Sequence, residues 1–303
     1  MAVDLSVSIA GLRLRNPVIA ASGTFGYGSE YAALLDVSAL GGICTKGLTA
    51  EPRTGNRGER LYETPAGLLN SIGLENPGVR AFIENELPRM KKLGPPVIAN
   101  LSGGSVGEYE EGARLLDACG IDMIELNISC PNVKAGGMAF GLDREKAAEV
   151  TRAVRKAAAH KPLLVKLSPN APDLAAVARA CVSSGADALS LVNTFKALAI
   201  DTSQRKPVFD NISAGLSGPA IRPIALGMVW ELYGELRNKA PLVGMGGIAC
   251  ANDALEFLMA GATAVQVGSA TFANPAAMTE IIAGIEAYMR KNAFTRTAEI
   301  SIR

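Results

Sequence analysis

Short runs of consecutive apolar residues recur along this chain, each closed by glycine, proline or a polar pair. Longer stretches with apolar positions every three or four residues separate them. The first kind of run predicts strands at 17–22, 39–46, 96–102, 122–129, 162–168, 188–193, 241–245 and 264–267. The second predicts helices at 30–36, 77–93, 106–119, 144–159, 173–184, 220–236, 252–260 and 275–291. A strand that is apolar on both faces belongs in a parallel sheet covered on both sides. Eight β/α units within about 250 residues suit the α/β class and a (β/α)8 TIM barrel, with an open doubly wound sheet as the alternative. The opening VSIAGLRLRNP reads as an N-terminal β-hairpin that plugs the barrel floor. Two connections, 47–76 and 194–219, far exceed the usual roughly 2–6 residues. Both leave the carboxyl ends of strands, so both are expected to be long βα loops covering the active site. No linker or repeat divides the chain, and residues 1–303 read as a single domain.

Composition narrows the function. With Lys+Arg 30 against Asp+Glu 29, the formal net charge is +1, which leaves no broad basic surface for nucleic acid. Hydrophobic residues make up 49% of the chain, ample for a large core, yet no apolar run approaches the roughly 18 residues of a spanning helix. The N-terminus lacks the basic and apolar regions of a signal peptide. The five cysteines are scattered without a CxxC, which fits a reducing cytoplasm and neither a disulfide framework nor an iron–sulfur cluster in this chain. Four of them, Cys44, Cys119, Cys181 and Cys250, read as small buried hydrophobes. The single histidine, His160, falls just before the fifth strand, on the barrel floor. That position argues against a histidine-based nucleophile and against a histidine-ligated metal, and no metal site is expected.

The chemistry gathers at the carboxyl ends of the strands. These carry Ser22, Lys46-Gly47, Asn100, Asn127 with Ser129 and Cys130, Lys166, Asn193-Thr194, Gly246-Gly247 and Gly268-Ser269. In ELNISCPNVKAGG the apolar strand stops at Cys130-Pro131, because proline cannot donate to a sheet ladder. A thiol is thus left at the ligand-binding end of a buried strand. Two lysines and three asparagines on such strands are costly unless something polar fills the barrel mouth. Taken singly, a glycine pair is equally a plain turn, and a strand lysine a surface residue with its stem laid along the protein. Together, glycine turns after strands seven and eight suit a phosphate, and the lysines and amides suit a flat heterocycle with carbonyls. Flavin mononucleotide (FMN) meets both demands. GMGGI at 244–248 lies inside a strand and opens no helix, so no nicotinamide site is expected on this chain alone.

TPAGLLNSIGLENPG (64–78), ELNISCPNVKAGG and LVNT (191–194), with the Gly-Gly and Gly-Ser turns, resemble the class 1 dihydroorotate dehydrogenases over nearly the whole chain. NISCPNVK followed by Gly-Gly is most similar to subclass 1B. The resemblance implies oxidation of dihydroorotate to orotate in pyrimidine biosynthesis. It implies FMN on Ser22, Lys46, Gly47, Asn100, Asn127, Lys166, Val192, Gly218, Gly246, Gly247, Gly268 and Ser269. Substrate would be held by Lys46, Asn70, Ser71, Ile72, Gly73, Leu74, Asn127, Asn193 and Thr194, with Cys130 as the catalytic base. It further implies a homodimeric core in a heterotetramer with a second subunit carrying FAD and a [2Fe–2S] cluster and passing electrons to NAD. The run 211–218 is less glycine-rich than the family pattern, and 295–303 has no counterpart. Segment 131–141, with Gly136, Gly137 and Gly141, reads as a mobile cover over the substrate. The competing readings are a 1A-like homodimer reducing fumarate, a related flavin-dependent dihydropyrimidine dehydrogenase, and a non-enzymatic barrel binding a phosphorylated ligand.

Overall fold

The computed structural model of the chain describes residues 3–129, 140–236 and 239–303. At its centre eight parallel strands close into a barrel. They are β1 (Val18–Ala20), β2 (Gly42–Cys44), β3 (Val97–Leu101), β4 (Met123–Asn127), β5 (Leu163–Lys166), β6 (Ala188–Leu191), β7 (Leu242–Met245) and β8 (Ala264–Val267). Each pairs with its neighbours in sequence, and β8 meets β1 through Val265 and Val18. Every residue of these strands is buried, which is why their runs are apolar without alternation. All eight expected strands are present, trimmed at their ends, and the barrel excludes the open sheet.

The differences from expectation have local causes. The second strand starts at Gly42 rather than at 39, because Val37–Ala39 form a 3-10 turn whose Asp36 side chain accepts from the Ser38 amide. The helix expected at 30–36 is a single 3-10 turn, Ser29–Tyr31, entered through Gly28 at φ +93°. Seven residues are too few to sustain a helix that tertiary packing does not impose. The helical stretch from Val79 to Leu93 contains a π-helical segment, Phe82–Glu86. Pro88 follows it and has no N–H to offer the carbonyl four residues back.

The largest difference concerns the two long connections. Leu61–Thr64 and Gly67–Asn70 from the first, and Phe195–Leu198 and Ser213–Ser217 from the second, join in one antiparallel sheet. Gly215 faces Asn70 across the central pair, and the Asn70 side-chain amide donates to the Gly215 carbonyl at 3.2 Å. The loops are thereby held by each other.

The opposite end is floored as expected. Val7–Ile9 and Leu12–Leu14 form a hairpin whose turn residues Ala10 and Gly11 both have positive φ, the turn that suits right-twisted strands. Ile9 and Leu14 are fully buried against Ile19, Ile98, Met123 and Leu164. Each contributes about 1.5–3 kcal/mol by removal from water. The carboxyl-terminal residues pack back on the body. Asp4 donates through its amide to the Thr295 carbonyl, and the Arg303 guanidinium lies 3.8 Å above the Trp230 ring. Among the described residues, no helix is long and apolar enough to cross a membrane.

Candidate active site

Alternate residues of a strand face the same way, so each barrel strand sends every second side chain inward. The lowest interior layer is apolar, with Ile98, Met123, Leu164, Ala188 and Ala264 packed on the hairpin. Two residues further along the same strands come Asn100, Glu125, Lys166, Ser190 and Gln266, all buried. An apolar floor thus gives way within one side-chain step to a charged layer.

Glu125 is the centre of that layer and is fully buried. Its Oε2 accepts from Asn100 Nδ2 at 2.6 Å and from Cys44 Sγ at 3.2 Å. Its Oε1 accepts from Gln266 Nε2 at 2.6 Å and from Ser190 Oγ at 2.9 Å. Lys166 Nζ stands 3.9 Å from Oε2. Burial alone pushes the Glu125 carboxyl up. The Lys166 charge and the hydrogen bonds from Gln266, Cys44 and Asn100 outweigh it and hold the group below the usual carboxylate range. The Cys44 thiol is pushed well up, first by burial and then by the Glu125 charge, so it stays protonated and donates. The sequence placed Cys44 among small hydrophobes. It is buried as expected but is also a donor, whereas Cys250 is exposed and Cys119 only half-buried.

Above this layer lies a cavity of about 390 Å³. The expected residues Ser22, Lys46, Gly47, Asn70, Ile72, Gly73, Leu74, Asn127 and Lys166 line it, as do Val192, Asn193, Thr194, Gly218, Gly246, Gly247, Gly268 and Ser269. Two do not. Asn100 sits one step deeper, donating to Glu125 and accepting from Asn127 Nδ2 at 3.3 Å. Ser71 is buried behind its turn, its amide donating to the Arg60 carbonyl and its hydroxyl accepting from Asn56 Nδ2. Cys130 and residues 131–139 of the segment 131–141 read as a cover lie outside the described residues; Gly141, at the end of that segment, is buried and its amide donates to the Ile128 carbonyl.

Amides at the cavity edge are locked to one another. Asn127 Oδ1 accepts from Ser129 Oγ at 2.8 Å, and Asn193 Nδ2 donates to the same Ser129 Oγ at 2.6 Å. Lys46 is half-buried and lines the cavity, and no carboxylate among the described residues lies within ion-pair distance of it. At the glycine end, Gly246 and Gly247 have φ of +129° and +70°. A Cβ on Gly247 would lie 2.7 Å from the Gly218 carbonyl oxygen, so the two turns meet backbone to backbone. His160 is exposed and far from this chemistry in role, its Nδ1 2.7 Å from Asp117 Oδ2.

Sequence reading missed Glu125, Ser190 and Gln266. Glu125 stood in the quoted motif, and the signal was there: a charge, an amide and a hydroxyl each inside an otherwise apolar strand. Met245, Ile248 and Phe272, which supply apolar wall to the cavity, carry no signal distinct from ordinary core residues.

The dihydroorotate dehydrogenase family model matches residues 4–289. A protein of Petrotoga mobilis is 54% identical over 298 residues, covering 98% of each chain. One of Geotalea daltonii is 52% identical over 98% of this chain and 97% of its own, and one of Desulforamulus reducens is 53% identical over 96% and 95%. Each of the three is named dihydroorotate dehydrogenase B (NAD(+)), catalytic subunit.

Proposed function

The chain belongs to the dihydroorotate dehydrogenase family, and from that premise we propose that it oxidises dihydroorotate to orotate in pyrimidine biosynthesis, with FMN in the barrel mouth. Electrons would leave through a partner subunit carrying FAD and a [2Fe–2S] cluster, with NAD as the final acceptor. The names of the relatives, catalytic subunits of NAD(+)-linked enzymes, support a partner. A homodimeric core within a heterotetramer, in the cytoplasm, completes the reading.

The residues present suit FMN. Lys166 is buried at the cavity base; among the described residues its charged partner is Glu125, whose Oε2 at 3.9 Å is beyond hydrogen-bond distance, so the Lys166 N–H groups can turn to a ligand. Among the described residues the Gln266 carbonyl oxygen is buried without a hydrogen-bond partner beside the same cavity. At the other end, the backbones of Gly218, Gly246-Gly247 and Gly268-Ser269 offer room and N–H groups for a phosphate. Ser22, Gly47, Asn127 and Val192 would complete the contacts, with Asn100 supporting Asn127 from behind. A flavin held there by these residues would supply the hydride acceptor for substrate C6.

The observation that carries the substrate assignment is Lys46. A half-buried cation facing a cavity, with no carboxylate partner among the described residues, fits an acid ligand. Lys46 would neutralise the dihydroorotate carboxylate, while the turn Asn70 to Leu74, Asn127, Asn193 and Thr194 orient the pyrimidine edges. Cys130 would take the proton from C5. A free thiol titrates near 8.5, so only a small fraction is thiolate at neutral pH and proton removal should quicken as pH rises.

The test is anaerobic. The purified chain should be yellow, and dihydroorotate should bleach it, whereas dihydrouracil should not. NAD reduction should appear only after the partner is added. Efficient fumarate reduction by the chain alone would instead establish the homodimeric 1A-like enzyme, and a colourless chain would overturn the flavin reading.

A further inference from the structure

A carboxylate can only accept hydrogen bonds, so whatever surrounds it must turn a donor toward it. Glu125 receives four donors and the Lys166 charge, and two of those donors belong to amides that have a choice of direction. Asn100 gives its Nδ2 to Glu125, which leaves its Oδ1 to accept from Asn127 Nδ2. Asn127 Oδ1 is then the face left for Ser129 and Asn193. Gln266 likewise gives its Nε2 to Glu125. Its Oε1 is left buried, without a hydrogen-bond partner among the described residues, and adjoining the cavity. A buried acceptor without a partner costs about 1–3 kcal/mol unless a ligand satisfies it. The Gln266 orientation therefore follows from one charge, and the Asn127 orientation from that charge together with the Ser129 amide, which donates to Asn127 Oδ1 at 3.2 Å.

We propose that Glu125 is a positioning residue for the flavin site. Its acceptor-only carboxylate holds Gln266 with the carbonyl offered to an N–H or O–H of the cofactor. The same carboxylate orients Asn100, and through it supports Asn127, and it faces the Lys166 charge across 3.9 Å at the cavity base. Glu125 itself does not line the cavity; it acts through these groups. The inference rests on FMN being the occupant.

Glu125→Gln keeps the shape, removes the charge and adds a donor that competes with Gln266 and Asn100. Apoprotein is titrated with FMN by fluorescence quenching, and the midpoint potential of the bound flavin is measured at saturation. The variant should bind FMN at least about tenfold more weakly, the loss of roughly one hydrogen bond. Its potential should move positive, because Lys166 is left uncompensated beside the reduced ring. Leu14→Ala, in the apolar hairpin beneath the barrel, leaves the charged layer untouched. It should lower Tm while leaving FMN affinity and potential as in the wild type. Wild-type affinity and potential in Glu125→Gln overturn the proposal, as does weaker binding with an unmoved potential, which marks a purely structural role. If Glu125→Gln does not fold, Gln266→Met decides: weakened FMN binding supports the proposal and unchanged binding overturns it. A wild-type apoprotein that takes up no FMN removes the flavin reading itself, and this inference with it.

Discussion

Lys166 Nζ lies 3.9 Å from Glu125 Oε2, both side chains buried in the middle of the barrel. Two ions so placed lose several kcal/mol of hydration each, and this pair keeps its stability only because four further donors converge on the carboxylate. The Glu125 pKa lies lower in the folded protein than its ordinary 4.5. Its contribution to stability is therefore complete above about pH 4.5–5 and is lost as pH falls through the lower folded value. Equilibrium unfolding of wild type and Glu125→Gln should show a gap that narrows on acidification from pH 6 to 3. A constant gap would mean that the charge contributes nothing.

Lys46 should matter for binding more than for folding. Replacing it with alanine removes a charge-assisted contact worth about 2–5 kcal/mol, so the orotate Kd should rise by a factor of about thirty or more. Isothermal titration of the FMN-loaded protein reads this directly. An unchanged Kd would show that the carboxylate sits elsewhere.

Cys130→Ser should retain FMN and bind orotate, yet reduce its flavin about 10² to 10⁴ times more slowly in stopped flow. In the wild type the rate of flavin reduction should climb with pH toward the range near 8.5 where a thiol ionises. A flat profile would remove Cys130 from the role of base.

The glycine end offers a pair of variants that part fold from ligand. A Cβ on Gly247 meets the Gly218 carbonyl at 2.7 Å and Arg222 Cβ at 2.8 Å, at φ +70°. Gly247→Ala should lose about 1–3 kcal/mol of stability along with FMN affinity. On Gly268 a Cβ meets no protein atom closer than 3.6 Å. Gly268→Ala should keep the wild-type Tm and lose FMN affinity alone. Full FMN affinity in Gly268→Ala would move the phosphate away from that turn.

The barrel was legible because burial on both faces writes itself as apolar runs without alternation, such as VIA in β1 and the LLV that opens β5. Its chemistry was legible where polar residues closed those runs, at Lys46, Asn127 and Lys166. Glu125 and Gln266 were passed over because they sit within runs rather than at their ends, and only closure of the barrel brings strands four and eight face to face at 2.6 Å. The sheet over the mouth was missed for a different reason. LYET and FKAL are four residues each, too short for a period to declare itself, and the pairing that joins their two hairpins, Gly67–Asn70 with Ser213–Ser217, spans 145 residues at Asn70 and Gly215. Register across such a gap is set by packing and not by any local pattern.

The hairpin under the barrel has a kinetic meaning. Among the described residues it closes the amino end of the barrel, so small acids exchange with the cavity from the carboxyl end. On the proposed reading, a redox partner that drains the flavin would reach it from that same half of the molecule.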